Sequence, residues 1–406
     1  MDARPWTVLL IVAVGNCGFW LYWFNRINST GLIRRHTKII EKCFVLLCFL
    51  FPVVVTIAEW PHLMNWLLRS SNWWPDSDAR LFRVYGAWCV ASFFVLGVGW
   101  LESRLWLIPP KHQLSHQKKR HNVHASIEGG SPGNSLTKAL NKLPGNQICH
   151  LEVTRKELLL PRSLPALEGF KIGHLSDLHF TGQFRPEHYQ FAFDRFNELE
   201  PDLIIISGDI IDYDRCLPWI DALLPSLTAP FGCSVVLGNH DRRLTDIDDL
   251  SQRITRLGFH DLGRTDQSIR VNNEASIFLS GNELPWLQRK ETAALTPKAS
   301  TNDRDSEPQE TLRLAVSHSP DQLPWARRNN FDLMLAGHTH GGQVRFPGIG
   351  PIVAPSLYGS RYASGLFYKK PTLMHVSRGI AGTHPLRWWC RPEASLLTLR
   401  NQPGSV

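Results

Sequence analysis

The sequence contains few cysteines, and they are not grouped. The 8 cysteines of the 406-residue chain include no CxxC pair and no regular spacing, which excludes a disulfide framework and a zinc finger. Residues 150–406 also lack an excess of either charge, with 28 basic and 29 acidic side chains. A nucleic-acid-binding domain would carry a basic surface, so we expect no nucleic acid among the partners.

Three stretches near the N-terminus lack charged residues altogether. They lie between Arg4 and Arg26, between Lys42 and Glu59, and between Arg83 and Glu102. A bilayer core about 30 Å thick requires about 20 helical residues, and tryptophans gather near the ends of these stretches, as they do at membrane interfaces. We predict a membrane segment over residues 1–110, with helices over about 6–25, 40–59 and 84–101.

Basic residues flank the three stretches unevenly. Ten follow the first and third stretches, against four on the opposite side. Because cytoplasmic loops carry the excess of Lys and Arg, we expect the N-terminus outside and residues 105–406 in the cytoplasm. Residues 105–406 would lie on the opposite side of the membrane if the second stretch, which contains Pro52, does not span the bilayer.

Residues 111–149 are polar, basic and without apolar periodicity. This composition predicts a tether near anionic headgroups. Its four histidines leave metal binding as a weaker alternative.

From residue 170 onward, short apolar runs end repeatedly in Asp, Asn or His. Five such runs occupy residues 171–179, 201–212, 232–241, 312–321 and 331–343. Runs of this kind are typical of strands buried on both faces, and helical patterns stand between them. We predict a layered α/β domain over residues 150–406, with a polar surface insertion at 288–310.

The five clusters supply the ligand types of divalent cations, namely carboxylate, imidazole and amide groups. Each cluster alone is more typical of a structural strand end, but their succession favours a metal centre. The candidate ligands are Asp177, His179, Asp209, Asn239, His318, His338 and His340.

Taken in order, these clusters resemble the signature of the calcineurin-like metallophosphoesterase superfamily. DxH stands at 177–179, GDxxD at 208–212, GNHD at 238–241, a histidine at 318 and GHxH at 337–340. The chain looks most similar to bacterial membrane-associated phosphodiesterases of the UDP-2,3-diacylglucosamine hydrolase-like group, which share SDLH, SHSPD, GHTHGGQ and an SRG…P-R…PE stretch. The resemblance covers residues 150–400 without the insertion, and it does not extend to the membrane segment.

The resemblance implies a four-layer α/β/β/α sandwich that holds two divalent metal ions. Asp177, His179 and His340 would hold one ion, Asn239, His318 and His338 the other, and Asp209 would bridge them. Mixed nitrogen and oxygen ligands accept Mn, Fe, Zn or Co. A hydroxide bridging the two ions would attack phosphorus.

The resemblance also implies catalytic roles. His240 would protonate the leaving group, and Asp241 would either orient the His240 imidazole or cap the helix that follows. Asp212 is expected to close the turn after Asp209. Arg243 and Arg378 are candidates for substrate binding, with solvated surface arginine as the alternative. Trp388 and Trp389 fit either a bilayer interface or ordinary packing.

These features together favour a membrane-anchored phosphoesterase or pyrophosphatase of the bacterial inner membrane. Its expected partners are the lipid bilayer and a lipid-linked diphosphate such as UDP-2,3-diacylglucosamine, an intermediate of lipid A biosynthesis. The alternatives are a phosphodiesterase for a soluble nucleotide or diester and, more distantly, a non-catalytic membrane binding protein.

Overall fold

The computed structural model describes residues 2–105, 110–127, 133–288 and 309–401. The chain divides into two units, Met1–Ile108 with Leu357–Arg361, and Pro109–Ser356 with Tyr362–Val406.

The first unit is helical. Its helices are α1 (Ala3–Ile27), α2 (Arg34–Ala58), α3 (Trp60–Arg69) and α4 (Arg80–Leu105). Ala3–Ile27, Arg34–Ala58 and Arg80–Ser103 are long and apolar enough to cross a membrane, by length and composition. Helices α1 and α4 approach closely at Gly15, where a Cβ would overlap the carbonyl oxygen of Cys89. Small residues at such crossings are typical of helix packing in membranes.

The second unit is built from strands and short helices. Among the described residues its helices are α5 (Val123–Ser126), α6 (Ser135–Asn141), α7 (Pro186–Asn197), α8 (Leu217–Leu223), α9 (Ile247–Arg256) and α10 (Leu323–Arg328). Its strands in the same described ranges are β1 (Gln113–Asn122), β2 (His150–Leu159), β3 (Lys171–Leu175), β4 (Leu203–Ser207), β5 (Cys233–Val236), β6 (His260–Asp261), β7 (Gln267–Arg270), β8 (Ala275–Asn282), β9 (Glu310–Ser317), β10 (Leu333–Ala336), β11 (Arg345–Phe346), β12 (Gly350–Pro351), β13 (Gly365–Lys369), β14 (Thr372–Val376) and β15 (Glu393–Arg400).

Two mixed sheets form the middle of this unit. The first has the order β1-β2-β15-β3-β4-β5-β6, and the second has the order β13-β14-β10-β9-β8-β7. Strands β3 to β6 run parallel in the first sheet, and β8, β9, β10 and β14 run parallel in the second. Parallel strands direct their carboxyl ends to one edge, where ligand sites form.

The alternation of strand side chains separates the layers. In β4, Leu203 and Ile205 pack in the core between the two sheets, whereas Ile204 and Ile206 pack against α7, α8 and α9. In β10, Met334 faces away from that core, since its neighbours on either side belong to the core; α10 packs on β14 beside it. The predicted α/β/β/α order of layers is therefore confirmed.

The expectation of a tether over residues 111–149 does not match the structure. Strand β1 pairs antiparallel with β2 along the edge of the first sheet, and α6 lies within the same range. Strand β1 is exposed over most of its length, so its sequence carries no apolar alternation. Lysines are typical of such edges because they discourage further strand pairing.

The predicted insertion at 288–310 lies mostly outside the described residues. Gln288 and Gln309 stand at its described ends, and Glu310 already begins β9.

Candidate metal centre

Five strands deliver the predicted ligands to one edge of the two sheets. Asp177 and His179 follow β3, Asp209 follows β4, and Asn239 follows β5 in the first sheet. His318 follows β9, and His338 and His340 follow β10 in the second sheet. Because all five strands end at the same edge, the structure brings together residues that stand up to 163 positions apart in the sequence.

One group of ligand atoms surrounds a first position. His179 Nε2 lies 3.2 Å from His340 Nε2 and 3.6 Å from Asp209 Oδ2. Asp177 Oδ1 lies 3.5 Å from His340 Nε2. The four side chains offer ligand atoms within 4.8 Å of one another.

A second group shares Asp209 with the first. His318 Nε2 lies 3.2 Å from Asp209 Oδ2 and 3.2 Å from Asn239 Oδ1. His338 Nδ1 lies 3.2 Å from the same His318 nitrogen. The structure therefore brings the predicted ligands together in two groups that both include Asp209.

The Asp209 carboxylate tests whether cations fit this site. Its Oδ2 atom is buried and has no hydrogen-bond partner among the described residues. Burial opposes ionisation of Asp209, but His318 and His240 nevertheless hold its pKa well below the usual value. A buried charged oxygen without a hydrogen bond is costly unless a cation compensates it, so the residues present fit a pair of divalent ions.

Two of the candidate ligand histidines, His179 and His318, are each held by a hydrogen bond through Nδ1, which also fits a metal site. Nδ1 of His318 donates to the carbonyl oxygen of Ser207 at 2.8 Å. Nδ1 of His179 donates to Asp212 Oδ2 at 2.7 Å. Held in this way, each ring presents Nε2 towards Asp209, and such second contacts are typical of metal-ligating histidine.

The backbone at the ligands is unusual. Asp177, His179, Asp209, His338 and His340 all have φ between 48° and 71°, the left-handed region that non-glycine residues seldom adopt. Strained residues of this kind cluster at functional sites.

Glycines of the signature make room for the ligands. A Cβ on Gly337 would lie 2.7 Å from Asp177 Oδ2, and one on Gly238 would overlap Asp209 Oδ1. Glycine is therefore required at both positions, because the ligand carboxylates approach the backbone too closely to leave room for a Cβ.

His240 lies at the rim of the centre, and its imidazole is held by two neighbours. Its Nδ1 makes a short hydrogen bond to Asp212 Oδ1, and its Nε2 lies 3.9 Å from Asp209 Oδ2. Arg243 donates to Asp212 Oδ1 at 2.9 Å and lies 2.7 Å from His240 Nε2. Burial lowers the pKa of His240 to about 4. Arg243, a candidate for substrate binding, therefore lies beside His240 at the site.

Asp241 does not contact the His240 ring in the way the sequence suggested. Its Oδ1 accepts from the backbone N–H groups of Ile210 and Ile211, each at 2.9 Å, and its Oδ2 accepts from Gly238 N–H at 2.7 Å. It is not a helix cap either; it ties the loop after β4 to the loop after β5. The orienting role falls to Asp212, which the sequence interpretation treated as a turn residue although it stands in the GDxxD motif.

The part of the chain that carries this site is similar to known proteins. Residues 170–342 match the sequence profile of the family described as calcineurin-like phosphoesterase. The chain is 31% identical over 254 residues to the uncharacterized metallophosphoesterase YkuE of Bacillus subtilis, a match that covers 62% of this chain and 85% of that protein. The chain belongs to the calcineurin-like phosphoesterase family.

Two other relatives have more specific names. This metallophosphoesterase is 32% identical over 239 residues to the phosphodiesterase YaeI of Escherichia coli, covering 57% of this chain and 82% of that protein. It is 25% identical over 306 residues to the UDP-2,3-diacylglucosamine pyrophosphatase LpxG of Chlamydia muridarum, covering 62% of this chain and 90% of that protein. Family membership and the paired His/Asp clusters make the protein a hydrolase with a dimetal-type site.

Arg378, the second predicted substrate contact, is used inside the metallophosphoesterase unit. Its guanidinium donates to Glu393 Oε2 at 2.9 Å and to Glu152 Oε2 at 2.7 Å. Lys156 donates to the other Glu393 oxygen at 2.7 Å. Arg378 is thus enclosed by carboxylates rather than turned towards a substrate.

Arg387, to which the sequence interpretation gave no role, supports the loop that carries His340. It is fully buried, and its NH1 donates to the carbonyl oxygen of His340 at 2.7 Å. Its NH2 makes a short hydrogen bond to the carbonyl oxygen of Ala381. In the sequence, Arg387 is recognisable only as part of the P-R motif. That motif does not indicate which atoms the guanidinium contacts.

Proposed function

We propose that this protein is a membrane-anchored, dinuclear metal-dependent phosphoesterase that hydrolyses a lipid-linked diphosphate, with UDP-2,3-diacylglucosamine as the leading candidate. One observation carries the proposal: a complete set of paired His/Asp ligands occurs in a chain that also has three helices able to cross a membrane. A bilayer anchor is most useful to a hydrolase whose substrate or product is a lipid. The LpxG relative, whose name states this activity, supports the choice of candidate.

The metal ligands would divide as the two clusters suggest. Asp177, His179 and His340 would hold one ion, Asn239, His318 and His338 would hold the other, and Asp209 would contact both. Two divalent ions held there offset charge on phosphoryl oxygens and supply an acidic water near neutral pH.

The remaining chemistry belongs to the side chains around the ligands. His240 presents its imidazole beside the shared Asp209 oxygen. The ring would give a proton from Nε2 to a leaving-group oxygen once Arg243 donates to the substrate instead of to Nε2. Asp212 fixes the ring through Nδ1 and offsets the charge of the protonated ring. Arg243, beside Nε2 of the same imidazole, can donate to a phosphoryl oxygen.

The uneven distribution of basic residues around the helices supports a cytoplasmic metallophosphoesterase unit at the bacterial inner membrane. Protease protection in inverted membrane vesicles tests this orientation, since a cytoplasmic unit would be digested without detergent.

The proposal is tested with the full chain purified in detergent and supplied with Mn²⁺. We expect release of UMP from UDP-2,3-diacylglucosamine, loss of activity with EDTA, and a fall of about 10²- to 10⁴-fold in kcat for His240→Ala with metal binding retained. Rapid hydrolysis of a soluble diester without any UMP release would instead establish the second candidate, a soluble-substrate phosphodiesterase. That candidate is favoured by the name of the 32% identical YaeI relative. Equal, background-level rates for wild type and His240→Ala would indicate a non-catalytic protein.

A further inference from the structure

A group of large apolar side chains lies exposed on the metallophosphoesterase unit. Each is between 43% and 59% exposed. We call this surface the apolar rim, and its members are Leu143, Phe346, Ile349, Val353, Trp388 and Trp389. Exposed apolar side chains are ordinary when scattered singly, but a contiguous group marks an interaction surface.

The segments of the apolar rim meet at Trp388. Its backbone N–H donates to the carbonyl oxygen of Gln343, and its carbonyl oxygen accepts from Arg345 N–H, both at 2.9 Å. Trp388 also forms a β-bridge with Asn146, and its indole packs over Gly145, where a Cβ would lie 3.0 Å from Nε1. The rim is therefore one surface rather than three unrelated loops.

The apolar rim is joined directly to the metal centre. Only Gly341 and Gly342 separate the ligand His340 from Gln343. On the other side, Arg387 immediately precedes Trp388 and donates to the carbonyl oxygen of His340. A membrane or molecule bound to the apolar rim would lie next to the ligands of the first metal position.

The chain segments that build the apolar rim carry no acidic residue. The sequence has no Asp or Glu from residue 333 to residue 392 and none from 129 to 151. Lys142 is exposed beside Leu143. Apolar and aromatic side chains combined with basic ones are typical of surfaces that settle into the headgroup region of anionic membranes.

We propose that the apolar rim inserts into the surface of a bilayer that contains anionic lipid, so that a lipid-linked phosphate reaches the metal centre directly from the membrane. The inference rests on the proposed function and specifies how its substrate is presented. Two tryptophans in the rim suit this occupant, because indole rings prefer the interface between headgroups and acyl chains. The three helices able to span a membrane supply the bilayer.

The test uses the full chain in nanodiscs of POPC and POPG in a ratio of 7 to 3. Hydrogen–deuterium exchange is followed over residues 343–353 and 386–390 in wild type, in Phe346→Ser/Trp389→Ser and in the control Leu114→Ser. Leu114 is similarly exposed but follows Gln113, which pairs with Leu158 at the end of β2 away from His150. We expect protection of these segments in wild type and the control, and exchange at least about tenfold faster in the double variant, equivalent to about 1.4 kcal/mol.

Hydrolysis assays separate this inference from the proposed function. The double variant should keep the wild-type rate on soluble bis(p-nitrophenyl) phosphate and lose most activity on UDP-2,3-diacylglucosamine in nanodiscs. Equal exchange in wild type and the double variant would overturn the bilayer contact, whatever the hydrolysis rates. Protection that persists in detergent and rises with protein concentration would also overturn it, since a second copy of the chain would then cover the rim. Absence of hydrolysis with protection intact would refute only the proposed function.

Discussion

Arg387 donates a hydrogen bond of 2.7 Å from inside the metallophosphoesterase unit to the carbonyl oxygen of His340. His340 has a φ of 49°, so its backbone is held in a conformation that it would rarely adopt alone. The buried guanidinium therefore acts as a positioning group for a residue whose own side chain faces the metal centre.

Replacing Arg387 by Lys should weaken metal binding more than it weakens folding. A lysine keeps the charge but cannot reach the carbonyl oxygens of His340 and Ala381 together. We expect the Kd for Mn²⁺, measured by calorimetry, to rise by about 10- to 100-fold, with activity recovered at high Mn²⁺. Arg327→Lys, an exposed position that bonds only one carbonyl oxygen in the described contacts, is the control. An unchanged Kd for Arg387→Lys would refute the positioning role.

Asp212→Asn should impair catalysis because Asp212 serves two imidazoles. Its carboxylate contacts Nδ1 of His179 and of His240, and an amide can accept from only one of them in the same way. With saturating Mn²⁺ we expect kcat to fall by about 10²-fold or more. Asp214→Asn, a turn carboxylate bonded to Thr245, should retain activity. Equal rates for the two variants would contradict the role of Asp212.

Asp241→Asn should lower stability and spare the chemistry. The amide still accepts through one oxygen, but the contacts of the other oxygen are lost, either that with Gly238 or those with Ile210 and Ile211. This loss should cost about 1–3 kcal/mol. A lower Tm with kcat within a few-fold of wild type, at saturating metal, is the expected pair of measurements. A fall in kcat as large as that of Asp212→Asn, without a change in Tm, would restore a catalytic role to Asp241.

The ion pairs of Glu393 predict a dependence of stability on pH. Burial raises the pKa of this carboxyl, but Arg378 and Lys156 outweigh burial and hold it well below the usual value. The carboxylate therefore stabilises the fold above the unfolded pKa of about 4.3, and this contribution is lost as the pH falls further towards the folded pKa.

Thermal unfolding of Glu393→Gln checks this expectation. The variant should be destabilised by about 3–5 kcal/mol at pH 7, because the buried Lys156 loses its carboxylate partner and Arg378 loses one of two. Its Tm should approach that of wild type as the pH drops below about 4.3. Glu157→Gln, which removes a partly exposed pair with Arg400, should cost about 0–1 kcal/mol. A difference in Tm that stays constant with pH would contradict the assignment.

The candidate metal ligands can be recognised in the sequence because their signals are local. A buried strand is recognisable from its apolar run, and each ligand stands directly after one, as Asp209 does after β4. Asp212 and Asp241 have the same residue type and similar spacing from a strand end. Their roles differ because Asp212 contacts two imidazoles, whereas Asp241 accepts from backbone N–H groups. These contacts depend on tertiary structure.

Two other features could not be predicted from the sequence, for different physical reasons. Arg378 and Arg387 both stand in the C-terminal motif, yet one pairs with carboxylates and the other with carbonyl oxygens; nothing in the sequence distinguishes them. Strand β1 has a polar sequence because most of its side chains are exposed at the edge of the sheet, so hydrophobic periodicity could not show it.

Strand β1 also determines where the chain can be shortened. A protein that began at His150 would leave β2, with its buried Leu151, Val153 and Leu158, as an open edge ready to pair with another molecule. One that began before His112 would keep that edge covered. The boundary suggested by the family resemblance is therefore an aggregation hazard for anyone who expresses this enzyme without its helices.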